Sequence, residues 1–478
     1  MRLCWALLSE ITMLNFTLAE VARITNGEVA NTESNITNDQ HINGVSTDTR
    51  SIQAGALFIA LVGESYDPHE IIEAGKANQA AAVLVQRSVN ASVPQIVVED
   101  TYLALQQLAA AWRQQFSIPV IGITGSNGKT SVKELIKQIL STQGNVLATV
   151  GNLNNHIGVP LTLSNLNDEH QYAVIEMGAN HAGEISTLAN LSEPNVAVVT
   201  NIGPAHLEGF GSIEGVAHAK SELYENLSAN GIAVVNADEH YIDVLKGQIG
   251  ERMQISFGME KPADVSGKQI SNDQVEIVTP MGEVRVKPQV PGMHALLNIL
   301  AATAVGLAIG LELEDIKTGI EKTQAAPGRL VRLEGLAGSK ILDDSYNANP
   351  VSLAAALDVQ ANEPGEHWLV LGDMGELGDE SVFMHKKAAE IAKQFGVVRL
   401  FAYGELTKHS VEAFGSGAFH YESHENLIEK LQNDLIAGVC VLVKGSRAMH
   451  LEKIVTAIRV ANKKLNGKKN MKQKENAA

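Results

Sequence analysis

"ITGSNGKTSVKELI" (residues 123–136) is the stretch on which the fold of this chain turns. It has the look of a phosphate-binding loop running into a helix, but not the usual spelling, G-x-x-x-x-G-K-[ST]. Counted back from Gly128-Lys129-Thr130, the first glycine should stand at 123, where the chain has Ile123. The surroundings favour a site. "PVIGIT" before it is an apolar, β-branched run that reads as a buried strand. After it Val132, Leu135, Ile136, Ile139 and Leu140 recur at helical spacing. Strand, glycine turn and helix N-terminus together aim free backbone N–H groups and the positive end of the helix dipole at an anion. Lys129 supplies a point charge there and Thr130 a hydroxyl for a magnesium ion. The competing reading is a plain strand–helix connection with Lys129 and Thr130 solvated.

The chain of 478 residues is too long for one core, and its length suggests about three domains. A hydrophobic share of 45% with 19% charged residues belongs to an ordinary soluble protein. Lys+Arg of 37 against Asp+Glu of 54 leaves a net charge of −17, which argues against nucleic-acid binding. A polyanionic ligand must then be held by local basic groups. Cys4 and Cys440, the two cysteines, form no disulfide framework or metal cage, and a reducing, cytoplasmic setting fits. No apolar run is long enough to insert in a membrane. "MRLCWALLSEITM" makes a poor signal peptide because Glu10 interrupts its apolar patch, and Met13 is a plausible second start. "LNFTLAEVARITNG" reads as an opening helix stopped by Gly27, and the lysine-rich residues 464–478 as a disordered tail.

The expected class is α/β. Residues 14–115 alternate short strands ("GALFIALVG", "AAAVLVQ") with helices ("TYLALQQLAAAWRQQF"). From 116 to 326 the apolar runs "YAVIEMG", "NVAVVTNIG" and "GIAVVNAD" stop at Gly, Asn or Asp, as parallel strands do when both faces are covered. "AAPGRL" marks a break, and residues 327–463 hold a third series: "KILDDSYNANP", "HWLVLGDMGELG", "RLFAYG" and "VCVLVKGSRAM".

Several groups could carry chemistry near the strand ends. Glu176 lies in "VIEMG", His206 in "TNIGPAHLEGFGS", and Lys220 in "HAKSELYENL", read as early on a helix. A carboxylate and an imidazole are reasonable magnesium ligands, directly or through water. Each alone reads equally as a satisfied polar group, and Lys220 alone as a surface lysine. "GMHALLNILAA" is helical, and Asn298 in it could read a base edge or simply pack. Asx turns account for Asp343, Asp344 and Asn347 in "DDSYNANP" as well as a site does.

Taken together, "TGSNGKTSVKE", "GNLNNHIGVPLTL", "EMGANHAGEI", "TNIGPAHLEGFGS", "AKSEL", "HALLNILAA", "DDSYNANP", "LGDMGELG" and "VKGSRAM", in this order, resemble the Mur ligase family. The N-terminal "STDTRSIQAGALFIALVGESYDPHEII" resembles its UDP-binding domain. The family writes its loop T-G-x-N/S-G-K-T, so Ile123 is no defect. The resemblance implies three domains: an N-terminal UDP-substrate domain, a central P-loop domain with a parallel sheet, and a C-terminal Rossmann-like domain. It implies an ATP-dependent acid–amino-acid ligase of peptidoglycan precursor synthesis, needed for cell shape and division. The member type it resembles most adds D-alanyl-D-alanine to UDP-N-acetylmuramoyl-tripeptide, and a monomer is expected.

Residue by residue, the resemblance places ATP on Thr124, Gly125, Ser126, Asn127, Gly128, Lys129, Thr130 and Asn298, with Arg329, Asp344 and Tyr346 in the third domain. It makes Lys129, Glu176, His206 and Lys220 catalytic, and gives Mg2+ to Thr130, Glu176, His206 and a carbamylated Lys220. Thr49 and Arg50 fall near the uridine, and Asn154 and Asn155 in the stretch that meets the UDP-sugar peptide. "HALLN" departs from relatives that carry a second asparagine after the histidine, which leaves Asn298 alone for adenine. A family member that adds a diamino acid is the nearest rival, but its D-N-P-R-type sequence is missing here. A folate polyglutamate ligase fits the N-terminal domain poorly. A P-loop regulator without ligase activity is the rival from another class, and the intact set Lys129, Glu176, His206 and Lys220 speaks against it.

Overall fold

The computed structural model describes residues 14–30, 39–63, 66–271, 273–289 and 292–460. The expectations about the start at Met1 or Met13 and about the tail 464–478 lie outside the described residues. The chain divides into two compact units. Of the described residues, the first holds those from 14 to 202 with 212–288 and 296–323; the second holds those within 203–211 and 289–295 and those from 324 to 460.

The first unit opens differently from the expected helix. Asn15–Thr17 is a short strand paired with His41–Asn43, and the helix Leu18–Ile24 follows. Thr17 accepts from the Glu20 amide while the Glu20 carboxylate takes the Thr17 amide. This reciprocal cap is worth about 1 kcal/mol and fixes the helix start in "TLAE". A five-stranded sheet follows, in the order Glu28–Ala30, Gln95–Val97, Ala82–Val85, Leu57–Ile59, Val45–Ser46, parallel except for its first pair. The helix Thr101–Arg113 leaves this sheet and packs on the next part of the unit. Trp112 Nε1 donates to the Leu166 carbonyl at 3.0 Å, and Arg113 Nε to that of Ser192 at 2.9 Å.

The larger sheet of this unit has nine strands, in the order Gly282–Val286, Gln274–Thr279, Val265–Ser271, Met253–Gly258, Ile232–Asn236, Val196–Val199, Val120–Thr124, His170–Glu176, Asn145–Ala148. Its first two pairings are antiparallel and the rest parallel. The strand Val120–Thr124 stands where the chain switches sides: later strands add on one flank through His170–Glu176 and on the other through Val196–Val199. Ligands of such sheets sit at the carboxyl ends beside that switch. The helix Lys129–Leu140 covers one face and buries Val132, Leu135, Ile136, Ile139 and Leu140, at about 1.5–3 kcal/mol for each fully buried aliphatic chain. On the opposite side lies the helix Ile213–Glu225. Its buried Tyr224 donates to the Val234 carbonyl at 2.6 Å and accepts from the Val199 amide at 3.1 Å, pinning that helix to two strands.

The second unit is built on a six-stranded sheet, Val331–Glu334, Lys340–Asp344, Val439–Lys444, Glu366–Gly372, Val397–Tyr403, Ala418–Tyr421, parallel beyond its first pair. Alternate side chains feed two cores, as strand geometry requires. Leu342, Leu369 and Leu371 face the helices Pro350–Ala361 and Ser381–Gln394, while Ile341, Trp368 and Val370 face His424–Asp434 and Glu452–Ile458.

Candidate active site

The glycine loop is held in shape from below. Gly125 has φ +149°, and a Cβ there would fall 1.9 Å from Thr200 Oγ1. Gly128 has φ +80°, and a Cβ there would fall 2.5 Å from Asn298 Oδ1. Both positions therefore demand glycine, for conformation and for space. The end of the neighbouring strand latches the loop. Ser126 N donates to Asn201 O and Asn127 N to Asn201 Oδ1, each at 2.9 Å, while Thr200 Oγ1 and Asn201 Nδ2 donate back to Asn127 O. Thr124 is buried, its hydroxyl donating to Met177 O at 2.8 Å. Lys129 opens the helix and its Nζ reaches back to Gly125 O at 2.7 Å; Thr130 follows in the same first turn. Asn298, on the helix Met293–Ala308, lies against Gly128, so the base-reading candidate borders the loop.

Glu176 closes its strand as the register partner of Ile123 and is 2% exposed. Its Oε1 accepts from Asn154 Nδ2 at 2.8 Å, and its amide donates to Thr149 Oγ1 at 3.0 Å. Its buried Oε2 has no hydrogen-bond partner. The nearest cation is Lys133, whose Nζ stands 3.8 Å away, an ion-pair distance but too long for a hydrogen bond. Lys133 is itself buried, donating to Thr149 O at 2.7 Å and pairing with Glu134 at 3.1 Å. The sequence reading passed over Lys133, Thr149, Thr200 and Asn201. Lys133 and Glu134 stand inside the quoted "SVKE", and the apolar stripe on either side of Lys133 was the available signal.

Lys220 is placed differently from the sequence expectation. The helix begins at Ile213 under a Ser212 cap, so Lys220 lies in its interior, not near its start. Nor is it a surface lysine: it is 1% exposed. Burial holds its ammonium well below the usual lysine value, and the charge of Lys129 pushes it further the same way. Both effects favour the neutral form of the Lys220 amine over its ammonium.

Asn155 spends its carboxamide oxygen on the amides of Ile157 and Gly158, opening the short helix Gly158–Leu163. Arg50 is exposed and forked onto Asp48, with Nε–Oδ1 at 2.9 Å and Nη2–Oδ2 at 2.6 Å; Thr49 between them is half-buried.

In the second unit, Arg329, Asp344 and Tyr346 come together. The Arg329 guanidinium lies 4.1 Å from the Tyr346 ring centroid, and Arg447 flanks the same ring at 5.8 Å. Lys444, another residue not singled out in the sequence, is buried against Asp344. Burial lowers its pKa and Asp344 draws it back up. His206 also belongs to this unit. It has φ +53°, and its Nδ1 stands 2.5 Å from Glu376 Oε2, out of line for a hydrogen bond. No three His, Cys, Asp or Glu side chains cluster into a cation cage among the described residues.

Three family models match the chain in the order of its sheets: "Mur ligase family, catalytic domain" over residues 41–113, "Mur ligase middle domain" over 123–306 and "Mur ligase, glutamate ligase domain" over 328–447. The chain belongs to the Mur ligase family. Among Mur ligases it is similar to the UDP-N-acetylmuramoyl-tripeptide–D-alanyl-D-alanine ligase of Escherichia coli K12, with 42% identity over 93% of this chain and 99% of the relative. A MurF crystal structure from Acinetobacter baumannii superposes with a TM-score of 0.86 at 35% identity, covering 93% of this chain and 99% of that one. A MurF ligase from Thermotoga maritima in complex with ADP gives a TM-score of 0.77 at 28% identity, over 87% and 96% of the two chains.

Proposed function

We propose that this Mur ligase joins D-alanyl-D-alanine to UDP-N-acetylmuramoyl-tripeptide at the expense of ATP, a step of peptidoglycan precursor synthesis. The observation that carries the chemistry is the latched glycine loop with Lys129 at its helix start and the buried Lys220 and Glu176 beside it, in a chain 42% identical to a D-alanyl-D-alanine-adding relative. The tripeptide carboxylate oxygen attacks the γ-phosphorus of ATP, the bond to the ADP oxygen breaks, and an acyl phosphate forms. The dipeptide amine then attacks the acyl carbon, phosphate leaves, and the amine loses a proton. An ionised carboxylate would have to expel oxide, whereas the acyl phosphate expels phosphate.

Two anions must meet in the first step, so positive charge is needed where negative charge gathers. Lys129 and the loop amides supply it at the phosphates, and Asn298 borders the same loop for the base. The donor set suits a hard cation. Glu176 presents a buried oxygen without a hydrogen bond, Thr130 a hydroxyl in the first helical turn, and Lys220 an amine whose burial favours the neutral form, the form that takes up CO2 as a carbamate with two oxygens. These residues would hold magnesium, which when bound neutralises phosphate charge; His206 keeps its place in that set from the resemblance alone. Arg329, Asp344 and Tyr346 are assigned to nucleotide, Thr49 and Arg50 to the uridine end, and Asn154 and Asn155 to the sugar-peptide. We assign the enzyme to the cytoplasm, where its ATP is made. No helix among the described residues is long and apolar enough to cross a membrane. We take it to act as a monomer, since one chain carries every assigned group.

Phosphate release by the purified protein tests this, with ATP, magnesium, UDP-muramoyl-tripeptide and a panel of amines. Release should require both substrates and be fastest with D-alanyl-D-alanine. A free diamino acid working better with the dipeptide form would reassign the enzyme to another member of the family.

A further inference from the structure

Lys444 ends the strand Val439–Lys444 and is the register partner of Asp344 on the next strand. Its buried ammonium donates to Asp344 Oδ2 and to Asn347 O, the latter at 3.0 Å. The other Asp344 oxygen, Oδ1, accepts from Leu330 N at 3.2 Å, and Tyr346 N donates to Gly328 O at 3.2 Å. The two segments tied in this way carry Arg329 and Tyr346. Asp344 is 7% exposed and both its oxygens are engaged inside the unit. The Arg329 guanidinium, by contrast, is stacked on Tyr346 with its buried Nε lacking a hydrogen-bond acceptor.

We infer that Lys444 is a positioning residue, fixing through Asp344 the Arg329–Tyr346 pair that meets the nucleotide. The ammonium is a compact charge that reaches a carboxylate oxygen and a backbone carbonyl at once. Its removal frees the turn at Asn347 and the segment at Leu330 together, and the arginine and the ring lose their shared register. Asp344, assigned above to the nucleotide, then also serves ATP by holding these two neighbours in place. The inference rests on the proposed nucleotide role of Arg329 and Tyr346, and its test must separate the two.

Five full-chain variants are compared for ATP KM and kcat with the other substrates saturating: Arg329→Ala, Tyr346→Ala, Lys444→Arg, Lys444→Met combined with Asp344→Asn, which removes both buried charges at once, and that double variant with Arg329→Ala added. Arg329→Ala and Tyr346→Ala should each raise the ATP KM about tenfold, the equivalent of one lost 1.4 kcal/mol interaction. The double variant should raise it to a similar degree with kcat within about twofold, and adding Arg329→Ala to it should raise KM little further, as for groups acting as one unit. Lys444→Arg, which keeps the charge and so the fold but not the compact geometry, should also raise KM. A lowered melting temperature with ATP KM unchanged in both Lys444 variants would mean a purely structural lysine and overturn the inference. If Arg329→Ala and Tyr346→Ala raise KM in that experiment, the nucleotide reading stands without it; if they leave KM unchanged too, both fall.

Discussion

Lys133 and Glu176 meet inside the first unit, the ammonium 3.8 Å from a carboxylate oxygen that has no hydrogen bond. Lys133 spends its hydrogen bond on Thr149 O, and Thr149 Oγ1 accepts from the Glu176 amide, so lysine, threonine and glutamate are one network. Removing the cation alone strands a buried carboxylate. Lys133→Met should therefore cost about 3–5 kcal/mol, the usual result of breaking a buried pair from one side. Denaturant titration reads this directly, and an unchanged midpoint would show that Lys133 does not compensate Glu176.

Lys129 should act on the charge that develops in the transition state. Its Nζ rests on Gly125 O at the loop, where a transferring phosphoryl group would lie. Lys129→Ala is expected to lower kcat by about two or more orders of magnitude, as loss of preorganised electrostatic groups commonly does. ADP affinity, measured by calorimetry, should weaken less. Near-normal turnover in a folded variant would remove the loop from the phosphoryl-transfer step.

Acid should find a weak point in the N-terminal part. The His69 amide donates to Asp67 at 2.9 Å, and the His69 ring and Arg87 add to it, holding the Asp67 pKa down at about 2 against an ordinary 3.8. A carboxylate with a depressed folded pKa stabilises above its unfolded value, and that contribution is lost as pH falls from about 4 toward 2. Asp67 is a third exposed, so solvent tempers the effect. Asp67→Asn should flatten the loss of stability across that window and lower stability at neutral pH. An identical slope in wild type and variant would count against it.

What could be read in advance follows from what is local. The strand–loop–helix unit was legible because an apolar run, a glycine turn and a 3.6-residue stripe are contiguous in residues 119–140. The parallel strands showed themselves as apolar runs ending at polar residues. The hairpin extension Val265–Val286 was not read, although "QVEIVT" shows the period-two alternation of a half-buried strand. Lys220 was read near a helix start because "GSIEGVAHAK" carries no glutamate three residues after its Ser212 cap, so the true beginning was inconspicuous. Its burial was not legible at all, for it depends on Tyr224 fastening the helix to strands that follow and precede it. Lys133 and Lys444 escaped for a related reason: each faces a carboxylate remote in sequence, Glu176 for Lys133 and Asp344 for Lys444.

Lys220 offers the sharpest test of the site. Burial and the charge of Lys129 both lower its pKa, so the amine is unprotonated nearer neutral pH than an exposed lysine would be. A neutral amine attacks CO2 to give a carbamate and releases one proton, turning a would-be cation into an anion with two oxygens. Occupancy should fall as the pH drops through the folded pKa, because protonation withdraws the nucleophile. In 13C NMR of protein equilibrated with labelled bicarbonate, a carbamate carbon should appear in wild type and vanish in Lys220→Ala. The same variant should lose most of its activity and regain part of it with added short carboxylic acids, which can lend the missing oxygens. A labelled signal that survives in Lys220→Ala would move the carbamate elsewhere. Full activity of the variant without rescue would leave Lys220 a buried structural lysine, with Glu176 and Thr130 to hold the cation through water.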